Sequence, residues 1–246
     1  MSKKWKFSKK REIMSSESIA PNSIVAVLTG DIVKSSSLAG ERRYFLYESL
    51  QEVSTLIKDY YPNDVLFNLA KFRGDGWQLL LSNPQRGFEI SLFIRSYIRY
   101  KFKLEKLDTR VAIAVGNIDF IPENNVSEGY GRAFSESGRL LDSMKNQRMD
   151  FRFTLENESS SNKLVGSLIK TLDAIITNWT APQCQSVFKA LQGFTQMEIA
   201  KQWDPKPISQ ASVANHLKSA RWDLINKGNE FFAEMMICHT TNIHKG

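Results

Sequence analysis

Two aspartates, Asp31 and Asp75, are the residues whose type and spacing most clearly suggest chemistry. Asp31 follows the apolar run SIVAVLTG, and Asp75, 44 positions later, lies between two glycines in KFRGDGW. In a Mg²⁺ site the protein usually supplies one or two carboxylate ligands, and substrate phosphates supply others. Either acid alone is more typical of a turn than of a metal site. Together they predict a Mg²⁺ or Mn²⁺ site serving a nucleoside triphosphate; the alternative is two unrelated turn residues.

The elements around these acids are predicted to bring them together. Residues 23–33 form a continuous apolar run rich in β-branched side chains, as in a buried central strand. Asp75 lies at the tip of a predicted hairpin whose strands fall near 66–72 and 77–81. If this hairpin pairs with the first strand, the two carboxylates meet. A helix separates them, marked by apolar residues at steps of four, three and four: Leu46, Leu50, Val53 and Ile57.

Further helices and strands complete the first half of the chain. A helix is predicted over 85–102, and TRVAIAVGNID alternates apolar and small residues as a half-buried strand does. Another helix begins at about Ala133, and MDFRFTLE alternates again. This order of elements predicts an α+β fold, a ferredoxin-like sheet layered by helices.

The segment SEGYGRAFSESGRLL resembles the signature of class III nucleotide cyclases, in which an acid, a glycine, a polar residue and an arginine recur at fixed spacing. The same resemblance covers LTGDIVKSS and KFRGDGW, and it extends over most of residues 24–155. More closely, AVLTGDIVKS with this layout and helical C-terminal part resembles the SatD family, a bacterial group related in fold to those cyclases. A class III cyclase-like sheet is the fold that the resemblance implies.

The resemblance also implies a role for each matching residue. Asp31 and Asp75 match the two metal-binding aspartates, and Arg139 matches the arginine that stabilises charge at the α-phosphoryl group. Ser135 stands where cyclases carry the asparagine that positions the ribose. The remaining matches contact the nucleotide: Lys71 and Glu128 the base, where a lysine favours ATP over GTP, and Lys34 the phosphates.

In that family the metal ligands and the arginine come from opposite subunits, so the resemblance implies a symmetric, head-to-tail homodimer. The related palm fold also joins separate nucleotides, which leaves a cyclic mononucleotide, a cyclic dinucleotide and a short oligonucleotide open as products. The alternatives to these roles in a nucleotide site are that Arg139 is an ordinary surface arginine and that Lys71 is a solvated charge at the edge of a strand.

The second half of the chain resembles a helix-turn-helix of response-regulator or sigma-factor type. Thr195 and Glu198 have capping-box spacing, and Ser209 is placed to cap a second helix. In that helix Val213 and Leu217 share one face, and the opposite face would meet the DNA major groove. The predicted DNA contacts are Gln210, Ala211, Ala214, Asn215, Lys218 and Arg221. The alternative is a plain helical bundle that dimerises the chain.

The composition of the chain limits which partners and which kinds of site these hypotheses can include. The 246 residues carry 33 Lys and Arg against 26 Asp and Glu, a net charge of +7, which favours polyanionic partners. Two distant cysteines predict neither a disulfide framework nor a zinc site, and with no long apolar run they suggest a cytoplasmic protein without a membrane partner. The predicted organisation is a basic arm (1–22), a cyclase-like nucleotide domain (23–155), a linker (156–163), a helix-turn-helix domain (164–237) and a tail (238–246).

Three functions follow from these features. The first is a DNA-binding transcription regulator whose nucleotide domain binds, and can convert, a purine nucleoside triphosphate with Mg²⁺. The second is a signalling nucleotidyl cyclase whose C-terminal helices only recruit it. The third is a non-catalytic protein that binds a partner.

Overall fold

A computed structural model describes Ile19 and residues 23–72, 74–122, 126–154 and 160–243, with side chains through Thr240. The arm predicted over 1–22 lies outside the described residues apart from Ile19. Among the described residues, no helix combines the length and apolar character needed to cross a membrane.

The first half of the chain folds into one mixed sheet. Five strands lie in the order β2-β3-β1-β4-β5, and every neighbouring pair is antiparallel except β4 and β5. The first four have the strand order and helix connections of a ferredoxin-like unit, and β5 is added at the edge. The α+β prediction is therefore confirmed. The strands are β1 (Ile24–Val33), β2 (Ala70–Phe72), β3 (Gly76–Leu81), β4 (Asp108–Asn117) and β5 (Met149–Phe153).

Eight helices accompany the sheet in the described part of the chain. They are α1 (Gly40–Tyr60), α2 (Gly87–Lys101), α3 (Arg132–Ser143), α4 (Ser160–Thr177), α5 (Ala181–Leu191), α6 (Gln196–Lys201), α7 (Gln210–Ser219) and α8 (Trp222–Ile243). The stripe predicted on α1 is confirmed, since Leu46, Leu50, Val53 and Ile57 are all buried.

The sheet has two different faces because successive residues of a strand point to opposite sides. On one side Ala26, Leu28 and Ile32 belong to the main hydrophobic core with α1 and α2; we call this the α1 face. On the other side Val25 and Val27 pack with residues from α3 and the loop before it; we call this the α3 face. Asp31, in register with Val27, belongs to the α3 face.

The C-terminal helices share the main core with the sheet. Phe188 of α5 lies 4.7 Å from Phe93 of α2, and Phe232 of α8 lies 5.4 Å from Phe151 of β5, measured between ring centroids. Of the linker predicted over 156–163, residues 156–159 lie outside the described residues, and Ser160 is the first residue of α4.

One helix boundary differs from the prediction. The last helix was expected over 209–226, but α7 ends at Ser219 and Arg221 has a φ of 57°. A left-handed residue cannot continue a right-handed helix, so the chain turns and α8 begins at Trp222. Helix α8 then runs to Ile243, through most of the predicted tail of residues 238–246.

Candidate functional site

The register of β1 and β3 brings Asp31 and Asp75 together. Asp31 is the cross-strand partner of Gly76, so Asp75, the residue just before β3, lies at the same end of this strand pair. The side chain of Asp31 is 26% exposed, and Asp75 is half-buried. The hairpin predicted from the sequence therefore places both carboxylates at one end of the sheet.

Arg110 of β4 faces Asp31 on the other side of β1. Its Nε donates to Asp31 Oδ1 at 2.9 Å, and its Nη2 donates to Asp31 Oδ2 at closer range, which makes a bidentate ion pair. Its Nη1 donates to the main-chain oxygen of Met144 at 2.8 Å, just beyond the C-terminal end of α3. The hydrogen bond to Asp31 is the main reason why the pKa of Arg110 is raised; burial opposes the rise, and Asp142 and Asp75 add electrostatic attraction.

Arg110 is the site residue that the sequence prediction missed. The signal was a charged residue at the start of an alternating strand, in register with the small residues Ala112 and Ala114 rather than with the apolar set. Small residues on one face leave room for a helix, and here α3 packs on β4. The arginine was therefore readable as the polar end of the α3 face.

The turn after β1 supplies a lysine and a serine beside the two acids. Ser35 Oγ donates a short hydrogen bond to Asp75 Oδ2, which links this turn to the hairpin. Lys34 is exposed and adopts a left-handed conformation with φ 68°. The predicted contact of Lys34 with the phosphates stays a prediction.

The two catalytic candidates from α3 lie on its exposed face. Ser135 and Arg139 are four residues apart and so share one side of the helix. Arg139 is 73% exposed and donates to Glu136 at 2.6 Å, while Ser135 Oγ donates to the oxygen of Gly131 at 3.3 Å. On the opposite side of α3, Ser137 is buried and its hydroxyl lies 2.7 Å from that of Thr29 on β1. One chain therefore does not bring Arg139 to Asp31.

A buried hydrogen-bond chain fixes α3 on the sheet near the acids. Thr29 lies two residues before Asp31 and accepts from Gln78 Nε2 at 2.9 Å, in addition to its bond with Ser137. This chain joins α3, β1 and β3. It holds the middle of α3, at Ser137, against the strand that carries Asp31.

Glu128 lies in the loop that leads into α3. It is exposed and lines a surface depression with Phe120 and Tyr130. The loop conformation depends on Gly131, whose φ is 135° and where a Cβ atom would lie 2.6 Å from the Cα of Ile118. The glycine of the predicted signature is therefore required by the backbone.

Lys71 lies on the other side of the sheet from Asp31. Its cross-strand partner is Trp77, whose indole donates to Thr109 at 3.0 Å and occupies the space beside Gly30 on the α1 face. The Lys71 ammonium accordingly lies 4.7 Å from the ring centroid of Tyr47 in α1. The base-reading role of Lys71 stays a prediction, and the side chain would have to leave this ring to fulfil it.

The predicted DNA-contacting residues lie on α7, except Arg221, which lies in the turn that follows this helix. Five of them, Gln210, Ala211, Asn215, Lys218 and Arg221, are exposed, and Ala214 is half-buried. The two predicted caps are present: Thr195 and Glu198 form a capping box, and Ser209 accepts from the backbone nitrogen of Ser212 at 3.1 Å.

The donor set at the end of β1 fits a hard divalent cation. Asp31, Asp75 and the exposed Asp142 supply three carboxylates in the neighbourhood of a single arginine, which leaves the cluster negative. Among the described residues, no three His, Cys, Asp or Glu side chains are grouped closely enough to hold a metal ion. A cation would therefore bind through one or two carboxylates together with phosphate oxygens, as Mg²⁺ commonly does.

Comparisons with known proteins add structural neighbours. The sequence matches no family model and no curated protein. The adenylyl cyclase CyaB from P. aeruginosa is 16% identical, with a TM-score of 0.39 over 50% of this chain and 72% of that one. A bacterial light-regulated adenylyl cyclase is 18% identical, with a TM-score of 0.42 over 54% of this chain and 77% of that one. A guanylyl cyclase is 12% identical, with a TM-score of 0.38 over 52% and 74% of the two chains.

These neighbours are of the class that the sequence motifs resemble. Because their TM-scores are below 0.5, this similarity is not evidence about the activity of this chain. Because no family model matches, membership of the SatD family stays a prediction. None of the comparisons supports a DNA-binding role.

Proposed function

We propose that this chain is a nucleotidyl cyclase that binds a purine nucleoside triphosphate with Mg²⁺ or Mn²⁺ at Asp31 and Asp75. The observation that supports this proposal best is the pairing of β1 with β3, because it brings the start of β3, which Asp75 precedes, to the end of β1 that carries Asp31. The DNA-binding regulator, favoured by the sequence alone, becomes the second candidate.

The positions of Ser135 and Arg139 favour a site shared between two copies of the chain. Both residues point outward on α3, whereas the acids lie at the end of β1 beyond the C-terminus of the same helix. In a head-to-tail symmetric dimer, the outer face of α3 in one copy would face the acids of the other. Each dimer would then contain two complete sites.

The residues have distinct tasks in the proposed reaction. A bound divalent cation would neutralise triphosphate charge and favour ionisation of the ribose hydroxyl. Lys34 would bind the outer phosphates, and Ser35 holds the Asp75 carboxylate in place. Ser135 would orient the ribose, whose hydroxyl oxygen forms a bond to the α-phosphorus while the bond to pyrophosphate breaks. Arg139 would stabilise the charge that develops on the α-phosphoryl oxygens.

The choice of base and of product stays open within this proposal. Glu128 is placed in a loop on the α3 face and is proposed to read the base edge together with Lys71, with ATP preferred over GTP. A hydroxyl from the same nucleotide gives a cyclic mononucleotide, and one from a second nucleotide gives a cyclic dinucleotide or a short oligonucleotide. Product separation distinguishes these outcomes.

The test is incubation of the purified protein with labelled ATP or GTP and Mg²⁺ or Mn²⁺, followed by separation of the products. We expect a cyclic product from the wild type, and a loss of at least about a hundredfold in rate in Asp75→Asn and Arg139→Ala, because each removes a charge required in the transition state. Lys163→Ala, on an exposed part of α4, is the matched control and should leave the rate unchanged.

Two other outcomes would overturn catalysis. Intact nucleotide that binds in an Asp75-dependent manner would make the site a sensor, and the regulator would become the leading function. Absence of both turnover and nucleotide binding would leave a protein that binds a partner through surfaces unrelated to the two acids.

DNA binding remains a second proposal because of one observation, the capped helix α7 with its exposed polar outer face. A gel-shift titration with random-sequence duplexes at low salt tests it. Lys218→Glu should weaken the complex at least about tenfold, because phosphate contacts supply most non-specific affinity. An unchanged affinity would favour the plain helical bundle.

A further inference from the structure

Arg110 occupies both carboxylate oxygens of Asp31. Its Nε and Nη2 each donate to a different oxygen, and the pair is only about a quarter exposed, with 25% for Arg110 and 26% for Asp31. Half-buried bidentate pairs are stronger than ordinary surface ion pairs. These are the same lone pairs that a divalent cation would use.

A cation and the guanidinium cannot both bind Asp31 in this geometry. Each carries positive charge, and their separation at the carboxylate would be only a few ångströms, where like charges repel each other in a half-buried site. Binding of a cation at Asp31 therefore requires that the guanidinium move away.

The structure offers the displaced guanidinium another set of partners. Nη1 of Arg110 already donates to the oxygen of Met144 at 2.8 Å and lies 3.5 Å from that of Leu141. These carbonyls end α3, where a positive charge is favourable. Asp142, exposed in the last turn of the same helix, also attracts Arg110. The arginine can therefore release Asp31 without losing all its partners.

We propose that Arg110 is a positioning residue that competes with the divalent cation for Asp31 and withdraws toward the C-terminal end of α3 when the cation binds. This inference rests on the proposed function, because it takes Asp31 as a metal ligand. It adds a residue with a defined effect: Arg110 lowers the affinity of the site for a free cation, so that loading depends on the phosphates of the nucleotide.

The experiment is a titration with Mn²⁺ alone, with free Mn²⁺ measured by electron paramagnetic resonance. Arg110→Met should bind Mn²⁺ about tenfold more tightly than the wild type, since a competing bidentate pair has been removed. The double variant with Asp31→Asn should lose this gain. Arg152→Met removes an exposed arginine that contacts Glu136 of α3 and should change the affinity by less than about twofold, because screening weakens a distant charge.

If a thermal melt shows that Arg110→Met does not fold, the conservative variant Arg110→Lys provides a second test. A lysine keeps the charge but cannot bind two oxygens at once, so an intermediate gain in Mn²⁺ affinity is expected. A merely structural role of Arg110 would lower the affinity in both variants.

The outcomes separate this inference from the proposed function. Asp31-dependent Mn²⁺ binding in the wild type, with equal or weaker binding in Arg110→Met or Arg110→Lys, would overturn the competition and leave the metal site standing. Absence of Mn²⁺ binding in every variant would overturn the competition, whereas the proposed function is overturned separately, by absence of turnover and of nucleotide binding. Tighter binding in the Arg110 variants supports both.

Discussion

At the scale of single residues, the buried charge of Arg95 is expected to affect stability strongly, although Arg95 belongs to neither predicted site. Arg95 of α2 is fully buried and pairs with two acids, Asp108 at 2.9 Å and Asp173 at 2.5 Å. It also donates to Thr177 at 2.9 Å. Burial disfavours ionisation of Asp108, but the attraction of Arg95 outweighs it and lowers the pKa of that carboxyl. The network is therefore charged at neutral pH.

Removal of Arg95 should destabilise the protein strongly. In Arg95→Met the buried Asp173 loses its cation and Asp108 keeps only Arg99, at 3.5 Å, which costs roughly 3 to 5 kcal/mol in the free energy of unfolding. Arg152→Met breaks an exposed pair and should cost less than about 1 kcal/mol. Urea unfolding at pH 7 measures both, and equal costs in the two variants would contradict this account.

The cost of Arg95→Met should depend on pH in a defined direction. Because the folded-state pKa of Asp108 is lowered, its contribution is present above the unfolded-state value of about 4 and is lost as the pH falls through the lowered value. In the variant Arg99 and the backbone nitrogen of Thr109 still lower the pKa, but without Arg95 burial raises it relative to the wild type, so acid relieves part of the penalty. The difference in unfolding free energy should therefore be largest near pH 7 and shrink below about pH 4.

At the scale of elements, the loop before α3 depends on one glycine. Gly131 has a φ of 135°, and a Cβ there would lie 2.6 Å from the Cα of Ile118 and 2.8 Å from the nitrogen of Asp119. Gly131→Ala should therefore cost about 1 to 3 kcal/mol through strain and displaced backbone. Chemical denaturation measures this cost.

The matched control lies in the helix that follows. A Cβ at Gly138 would meet nothing within 4 Å, and the residue is helical. Gly138→Ala should thus stabilise the protein by about 0.5 to 1 kcal/mol, because alanine loses less entropy in a helix. If both substitutions had the same sign, local backbone geometry would not explain the Gly131 loop.

The elements were largely predictable because their signals are local. Apolar spacing predicts α1, a continuous apolar run rich in β-branched residues predicts β1, and alternation predicts β4. The break between α7 and α8 was not predictable, because Arg221 is an ordinary helix former that adopts a φ of 57° only in this tertiary context. The hairpin strands were predicted too long at β2, since Ala70 to Phe72 is an edge segment paired on one side only.

The site was predictable only in part, for a similar reason. Asp31 and Asp75 could be singled out from the sequence because the end of a strand and the tip of a hairpin have local sequence patterns. Arg110 could be assigned to the α3 face from its register with Ala112 and Ala114, but its contact with Asp31 depends on the pairing of β4 with β1, a long-range relation that no local pattern contains. The face that Lys71 occupies depends likewise on its pairing with Trp77.

At the scale of the whole molecule, the proposed shared site predicts complementation. Asp31→Asn and Arg139→Ala should each abolish turnover. In a dimer of either variant, both shared sites lack the substituted residue. After mixing and subunit exchange, heterodimers contain one complete site, so about a quarter of wild-type activity per chain is expected. Rates measured before and after exchange test this. No recovery in a mixture that has exchanged subunits would place all catalytic groups within one chain.

The buried arginine has a consequence for how such a protein can change through evolution. Arg95 and Asp108 belong to the sheet-bearing half of the chain, whereas Asp173 belongs to the C-terminal helices. A recombination event that exchanged those helices for an unrelated segment would leave an arginine without one of its acids in a dry interior. Descendants of this gene are therefore expected to inherit the two halves together, and a fusion partner is more readily gained at the ends of the chain than between them.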